Sequence, residues 1–100
     1  MRVIALSTLK KFWEDSPERE DAAEPLRAWY RHALKADWSS PAELKRDLGT
    51  ASILGDGRVV FNIAGNKYRL VVWINYAHRV IYIRYVGTHA QYDRIDARSI

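Results

Sequence analysis

The 100-residue sequence contains no cysteine, only three histidines and no long apolar run. The absence of cysteine excludes disulfide scaffolds, cysteine nucleophiles and the usual thiolate zinc sites. The histidines, His32, His78 and His89, are scattered along the chain and do not make a metal-ligand set. We therefore expect neither a metal nor another cofactor. The apolar run at 1–6 is too short for a signal peptide and nothing reaches membrane-spanning length, so the expected location is the cytoplasm.

Acidic residues are scarce in the C-terminal part of the chain. Residues 58–100 contain seven Lys or Arg and two Asp or Glu, a net charge of +5, whereas residues 1–57 carry −1. Such asymmetry indicates a nucleic-acid partner, or an acidic protein partner that covers the same surface. The 48% hydrophobic content and the length together predict a single folded domain over residues 1–100.

Residues 58–86 have the pattern of three antiparallel strands. Gly65-Asn66 is a two-residue hairpin signal, because glycine accepts the positive φ that such turns require. This turn pairs Asn62 with Arg69. A second turn, either Ala77-His78 or 75–78, closes the next hairpin and pairs Val71 with Arg84. Both lengths are even, so the assignment of side chains to faces is the same.

The predicted strands have two faces of different character, because neighbouring side chains alternate. One face is apolar and carries Val59, Phe61, Ile63, Tyr68, Leu70, Val72, Ile74, Ile81, Ile83 and Tyr85. The other is basic and carries Arg58, Asn62, Lys67, Arg69 and Arg84 among Val60, Val71, Trp73, Tyr82 and Val86. A basic face with interleaved aromatics suits a polyanion whose bases can stack. The alternative is an ordinary solvated face with arginine stems lying over it.

The N-terminal half predicts an edge strand at 2–6 and three helices. The helices begin at Ser7, at Ser16-Pro17 and at Ser40-Pro41, where serine caps and proline favours a first helical turn. Pro25 should either kink the second helix or mark its true start, and one kinked helix to about Ala36 is favoured. Residues 50–57 are expected to form a loop.

The apolar stripes of the helices and the apolar face of the sheet must both be buried, and they can be buried against each other. The predicted fold is therefore α+β, a small antiparallel sheet of three strands plus the N-terminal edge strand, with helices packed on one face. The basic face then stays open. We expect Trp13, Trp29 and Trp38 in the core, whereas strand parity places Trp73 on the open face.

Candidate chemistry follows the last strand. Thr88-His89-Ala90-Gln91 has the T-x-x-Q form of a capping box, which places His89 in the first turn of a short helix. Free backbone N–H groups and the helix dipole favour a phosphate at such a position. Tyr92 and Asp93 follow at i+3 and i+4 from His89, on the same helical face.

These residue types match the requirements of RNA cleavage without a metal. The reaction needs a proton acceptor for the 2′-hydroxyl, a proton donor for the 5′-oxygen and cations on the phosphate. His89 is the candidate proton carrier, and Arg69 is the candidate phosphate clamp. In the alternative interpretation, Asp93 only forms a salt bridge and Tyr92 only packs the helix onto the sheet.

The same residues resemble a known family, the HigB toxins of bacterial type II toxin–antitoxin modules. That family belongs to the wider RelE-like group of small messenger-RNA endonucleases. The resemblance is carried by FNIAGNKYRLVVWINY and VIYIRYVGTHAQYD, and it extends upstream through LRAWYRHALKADWSSPAELKRDLGTASILGDGRVVF. The more specific parts are an F-N-x-x-G-N-x-x-R core and a later I-R-x-x-x-T-H-x-x-Y-D.

The resemblance implies a RelE-like fold and a metal-independent mRNA endonuclease that acts on ribosome-bound message. It also implies neutralisation by a HigA-like helix-turn-helix antitoxin, through which alone the module would bind operator DNA. The arginine of the Y-R-L strand matches Arg69. The basic residue after the V-G turn is His89 here, where many relatives have arginine. Lys67 is the main candidate for the lysines that relatives carry beside the site.

The predicted site has two parts. The predicted catalytic residues are His89, Arg69, Tyr92 and Asp93, and the predicted RNA-binding residues are Asn62, Lys67, Arg84 and Trp73. Two alternatives stay open. One is a toxin that, like the ParE group, binds DNA gyrase without cutting RNA, and the other is an RNA-binding domain without catalysis.

Overall fold

A five-stranded mixed sheet lies at the centre of the computed structural model, which describes residues 1–100. The strands are β1 (Arg2–Ile4), β2 (Ser52–Gly55), β3 (Arg58–Ile63), β4 (Tyr68–Asn75) and β5 (Val80–Thr88), in the order β1-β5-β4-β3-β2. β1 is parallel to β5, and the other neighbours are antiparallel. The α+β class and the N-terminal edge strand are confirmed, but the sheet has one strand more than predicted.

The additional strand, β2, occupies part of the segment that the sequence analysis predicts as a loop. It forms a hairpin with β3 through the pairs Ser52–Val60 and Ile53–Val59. Both residues of the intervening Asp56-Gly57 turn have positive φ, 51° and 83°. Asp-Gly is a favoured pair for this turn, because glycine has no Cβ and aspartate tolerates the left-handed region. The sequence thus contained a signal for this hairpin.

The next two hairpins follow the prediction to different extents. Between β3 and β4, Asn62 pairs with Arg69 as predicted, and Gly65 has a φ of +69°. Between β4 and β5 the turn is 76–79, and the predicted register holds as far as the pair Val72–Ile83.

Beyond Ile83 the β4–β5 register shifts by one residue. Val71 pairs with Tyr85 and not with Arg84, so Arg84 is the extra residue of a β-bulge. The alternation is inverted after it, because Tyr85 now packs beside Val71 while Val86 packs on the main core. The predicted Val71–Arg84 pair, the placement of Tyr85 on the apolar face and that of Val86 on the basic face are therefore wrong.

Three helices cover one face of the sheet, and a fourth follows β5. They are α1 (Leu6–Glu14), α2 (Ala23–Lys35), α3 (Pro41–Asp47) and α4 (His89–Tyr92), with a 3-10 helix at Pro17–Ala22. α1 begins one residue before Ser7, with Ala5 at the N-cap, so the predicted serine cap is wrong. The predicted kinked helix is instead the 3-10 helix followed by α2. Pro25 lies in the first turn of α2, where its missing N–H costs no hydrogen bond.

The main core lies between the helices and the sheet. Trp13, Trp29 and Trp38 are 5%, 7% and 3% exposed, which confirms their predicted place. They pack with Leu9, Phe12, Leu26, Leu44, Val59, Phe61, Leu70, Val72 and Ile81, among others. None of the helices has the length and apolar character needed to cross a membrane.

The sheet face opposite the helices, which we call the outer face, carries Val60, Arg69, Val71, Trp73, Tyr82 and Tyr85. The C-terminal segment, residues 94–100, lies over its middle. Ala97 is buried against Val60 and Val71, and the Arg58 guanidinium donates to the carbonyl oxygen of Ile100 at 3.0 and 2.7 Å. The prediction that this face stays open is therefore wrong for its middle part.

Candidate active site

The junction of β5 and α4 positions the candidate site. The Thr88 hydroxyl oxygen accepts a hydrogen bond from the Gln91 backbone N–H at 3.1 Å. The Gln91 side-chain oxygen in turn accepts from the Thr88 backbone N–H at 2.9 Å. The predicted capping box is confirmed, and it holds His89 at the end of β5.

His89 and Asp93 contact each other along one side of α4. Nδ1 of His89 lies 3.2 Å from Oδ2 of Asp93, one helical turn later. A carboxylate can only accept, so the geometry places the proton on Nδ1 and leaves Nε2 unengaged. The two side chains are 44% and 60% exposed, so the imidazole is accessible from solvent.

Arg69 lies on β4, the strand adjacent to β5. It pairs with Gly87 of β5, which is two residues before His89. Its guanidinium carbon is 5.4 Å from the centre of the Tyr92 ring, a cation–π contact. Arg69 has no acidic partner, and its Nε is buried without a hydrogen bond. An unsatisfied buried donor of a charged group is costly, and an anionic ligand is the natural group to offset that cost.

The four predicted catalytic side chains therefore form two pairs near the β5–α4 junction. Two contacts connect them, from Arg69 to Tyr92 and from His89 to Asp93. Both contacts use α4, so this single helical turn assembles the group.

The N-terminus of α4 offers fewer free donors than predicted. The His89 N–H donates to the Lys67 carbonyl oxygen at 3.2 Å, and the Gln91 N–H is used by Thr88. With only four residues, α4 also sums few peptide dipoles. The candidate groups for a phosphate are therefore side chains, Arg69 above all.

The predicted RNA-binding residues Asn62 and Lys67 have different environments. Asn62 pairs with Arg69 as predicted. The Lys67 ammonium instead forms a salt bridge with Asp21 of the 3-10 helix, and the Tyr68 hydroxyl donates to the same carboxylate. The hydrogen bond from Lys67, and then that from Tyr68, lowers the pKa of Asp21, and the same bond to Asp21 raises the pKa of Lys67. The predicted placement of Lys67 on the basic face is thus wrong.

Arg84 is also displaced from its predicted position. As the bulge residue it is exposed at the outer edge of β5, where it lines a cleft shared with α1. Its predicted place beside Arg69 on the basic face is wrong, because the bulge removes it from the alternation.

Trp73 lies on the outer face as predicted, 5.3 Å from the Tyr82 ring. Its indole N–H donates to the Asp56 carbonyl oxygen at 2.8 Å. It lies four positions from Arg69 along β4, roughly 13 Å of strand. Because Ala97 covers Val71 between them, Trp73 is separated from the candidate site.

Tyr85 is the residue near the site that sequence reasoning missed. Its ring lies against Gly87, where a Cβ would meet the Tyr85 hydroxyl oxygen at 2.7 Å. Since Gly87 faces Arg69 across the strands, the phenol packs on the residue that pairs with Arg69. The available signal was Gly87 itself, because a glycine inside a strand marks a bulge or a close approach.

The remaining histidines lie elsewhere. Nε2 of His32 is 2.7 Å from Oδ2 of Asp47 on the helical side of the molecule, and His78 is in the β4–β5 turn. The structure contains no group of three or more His, Cys, Asp or Glu side chains arranged to hold a metal ion.

An α+β domain with helices on one sheet face and this basic strand end is compatible with the RelE-like class of small toxins. The family model of the HigB toxins, described as the RelE-like toxic component of a toxin–antitoxin system, matches residues 22–95. The chain belongs to that family. It is also similar to a protein named mRNA interferase HigB from Escherichia coli O6:H1 strain CFT073. The two are 23% identical over an 86-residue alignment that covers 84% of each chain.

Proposed function

We propose that this toxin is an mRNA endonuclease that cleaves its substrate at the Arg69–His89 site by side-chain proton transfer without a metal. The observation that carries the proposal is the His89–Asp93 pair beside an arginine that has no acidic partner. The name of the E. coli relative, mRNA interferase, supports the same activity.

The proposed mechanism assigns one role to each of the four side chains. Asp93 accepts from Nδ1 of His89 and keeps Nε2 free to take the proton of the attacking 2′-hydroxyl. The 2′-oxygen bonds to phosphorus as the P–O5′ bond breaks, and the leaving 5′-oxygen takes a proton from solvent, so the upstream fragment ends in a 2′,3′-cyclic phosphate. Arg69 binds the phosphate oxygens as negative charge develops on them. The Tyr92 ring supports the guanidinium from one side.

The RNA-binding surface is narrower than the whole outer face. Asn62 and Gly87 flank Arg69 on the neighbouring strands. His89 follows two residues after Gly87, and Tyr85 packs against Gly87. We propose that the message enters at this end, since the C-terminal segment covers the middle of the face. Lys67 and Arg84 contact the message only where it extends beyond the outer face, and Trp73 is too distant to contact the scissile phosphate.

The proposed partners follow from the family. A toxin of this kind is paired with an antitoxin, and we propose a HigA-like protein with a helix-turn-helix domain that alone carries operator binding. We also propose that the message is cut on the ribosome, in the cytoplasm.

A toxin that inhibits its target by binding alone is the second candidate, and one experiment separates the two. The purified protein would be incubated with a reporter mRNA, with and without ribosomes, and in parallel with DNA gyrase. We expect cleavage with cyclic-phosphate ends and normal gyrase activity. Gyrase inhibition with intact RNA under all conditions would refute the endonuclease proposal.

A further inference from the structure

A second charged surface lies along the outer edge of β5, away from the candidate active site. β1 pairs with β5 only from Val80 to Tyr82, so residues 83–88 have no strand on that side. Helix α1 runs beside this unpaired edge, and a cleft of about 330 Å³ lies between them. We call it the edge cleft, and it is lined by Thr8, Lys11, Phe12, Asp15, Arg19, Arg84, Tyr85 and Val86.

The edge cleft carries an uncompensated positive charge. Lys11, Arg19 and Arg84 face a single carboxylate, Asp15, and none of the three cations forms an ion pair. Arg19 is instead held over the Phe12 ring at 4.8 Å. Three cations fixed around one cleft raise the local concentration of anionic groups and favour an anionic ligand.

The backbone along the same cleft distinguishes between two anionic ligands, RNA and an acidic peptide. An unpaired strand edge presents a row of N–H and C=O groups that a second strand can satisfy. A peptide has the matching backbone, whereas RNA does not. The partly buried Val86 and the core residue Phe12 also give the cleft an apolar floor for a side chain of such a strand.

We propose that the edge cleft docks an extended acidic segment of the antitoxin, added as a strand beside residues 83–88 of β5. Six residues of β-strand span about 20 Å, and alternate side chains point the same way. A segment with acidic residues at alternate positions would therefore direct them at Lys11, Arg19 and Arg84. The naming of the partner rests on the proposed toxin–antitoxin function, whereas the binding of an acidic strand does not.

The test uses the full chain and a synthetic octapeptide with glutamate at alternate positions and threonine or valine between them. Binding would be followed by fluorescence anisotropy at several salt concentrations and by NMR shifts of the backbone amides. We expect salt-sensitive binding and the largest shifts in residues 83–88 and α1. A glutamine version should lose the electrostatic part of the binding, and a version with every backbone nitrogen methylated, so that neither edge can donate, should lose strand pairing.

Matched variants locate the contact. An exposed ion pair contributes at most about fivefold, so Lys11→Ala and Arg19→Ala should each weaken binding by about two- to fivefold. Combining both with Arg84→Ala should weaken it more than tenfold. Lys10→Ala removes a charge from the same helix outside the cleft and should change nothing. The melting temperature of each variant confirms that it is folded.

Two outcomes would overturn the proposal. Equal binding of the backbone-methylated peptide would show that no strand is added. Competition by a single-stranded RNA of equal charge, with the same amide shifts, would assign the cleft to RNA. Failure of the reporter-mRNA experiment would refute the endonuclease proposal and leave the peptide result unaffected.

Discussion

The two halves of β5 have different neighbours and different uses. Residues 80–82 lie between β1 and β4, and the simple alternation holds as far as Ile83. Ile81 is fully buried. Residues 85–88 have a strand on one side only, invert the alternation and lead directly into His89. The bulge at Arg84 separates them. The comparison shows how one strand first stabilises the core and then positions a site, with a single extra residue between the two roles.

The largest expected effect is at the end of the second half. His89→Gln preserves size and hydrogen bonding but removes the titrating imidazole, so single-turnover cleavage should fall by roughly 10²- to 10⁴-fold, nearly as far as with alanine. The melting temperature should not change, because the side chain is exposed. His78→Gln, in the turn before the first half, is the matched control and should cleave normally. Cleavage by His89→Gln at the parent rate would show that His89 only positions RNA and that the proton moves elsewhere.

The first half should respond in stability and not in chemistry. Ile81→Ala removes a fully buried side chain and should lower the free energy of unfolding by about 2–5 kcal/mol. Tyr85→Ala, in the half-exposed second part, should cost about 1 kcal/mol. Denaturant unfolding of both variants measures the difference. Equal losses would mean that the two halves contribute alike to the core.

Arg69 pairs with the second half of β5 and should affect cleavage without affecting the fold. Arg69→Ala should remove about 3 kcal/mol of transition-state stabilisation, by analogy with the loss of one oxyanion donor. Arg69→Lys retains the charge but loses the bidentate fork, so it should recover only part of the rate. Single-turnover rates at saturating RNA test this. Full recovery with lysine would show that charge alone suffices.

A substitution at Gly87 tests the contact with Tyr85 that the bulge creates. Gly87→Ala introduces a Cβ that would meet the Tyr85 hydroxyl oxygen at 2.7 Å, so overpacking should cost about 1–3 kcal/mol of stability. In the Tyr85→Ala background the same change should cost much less, because the obstructing ring is absent. Denaturant unfolding of the four proteins gives this double-mutant cycle. Additive losses would contradict the contact.

The smallest effect concerns the salt bridge between the β3–β4 turn and the 3-10 helix. Hydrogen bonds from Lys67 and then Tyr68 lower the pKa of Asp21 from its usual 3.8, so this contribution to stability is present above that pH. It is lost as the pH falls towards the folded-state pKa. Asp21→Asn should therefore have a slightly lower melting temperature at pH 7 and a flatter decline as the pH falls below 3.8. If the melting temperatures of Asp21→Asn and the parent fall alike with decreasing pH, the Asp21–Lys67 salt bridge does not contribute to stability.

Much of the site was predictable because its determinants are local. The T-x-x-Q motif at Thr88 predicts a capping box, and i, i+4 spacing predicts that His89 and Asp93 meet. The Gly65-Asn66 turn likewise sets the pair Asn62–Arg69. Each of these rests on a few consecutive residues whose backbone preferences are strong, so no tertiary contact is needed to predict it.

The sequence by itself determined the fold class, the place of the core tryptophans and the local pairs of the candidate site, His89 with Asp93 and Asn62 with Arg69. Only the tertiary structure decided which basic residues accompany Arg69. Alternation cannot reveal an extra residue in a strand, so it did not show the bulge that removes Arg84 and introduces Tyr85, although Gly87 was a signal that a bulge or close approach lies nearby. The Lys67 ammonium forms a salt bridge with Asp21, which is 46 positions away in the sequence. The buried Ala97 covers the middle of the outer face. These outcomes depend on contacts between residues far apart in the chain, which local preferences do not specify.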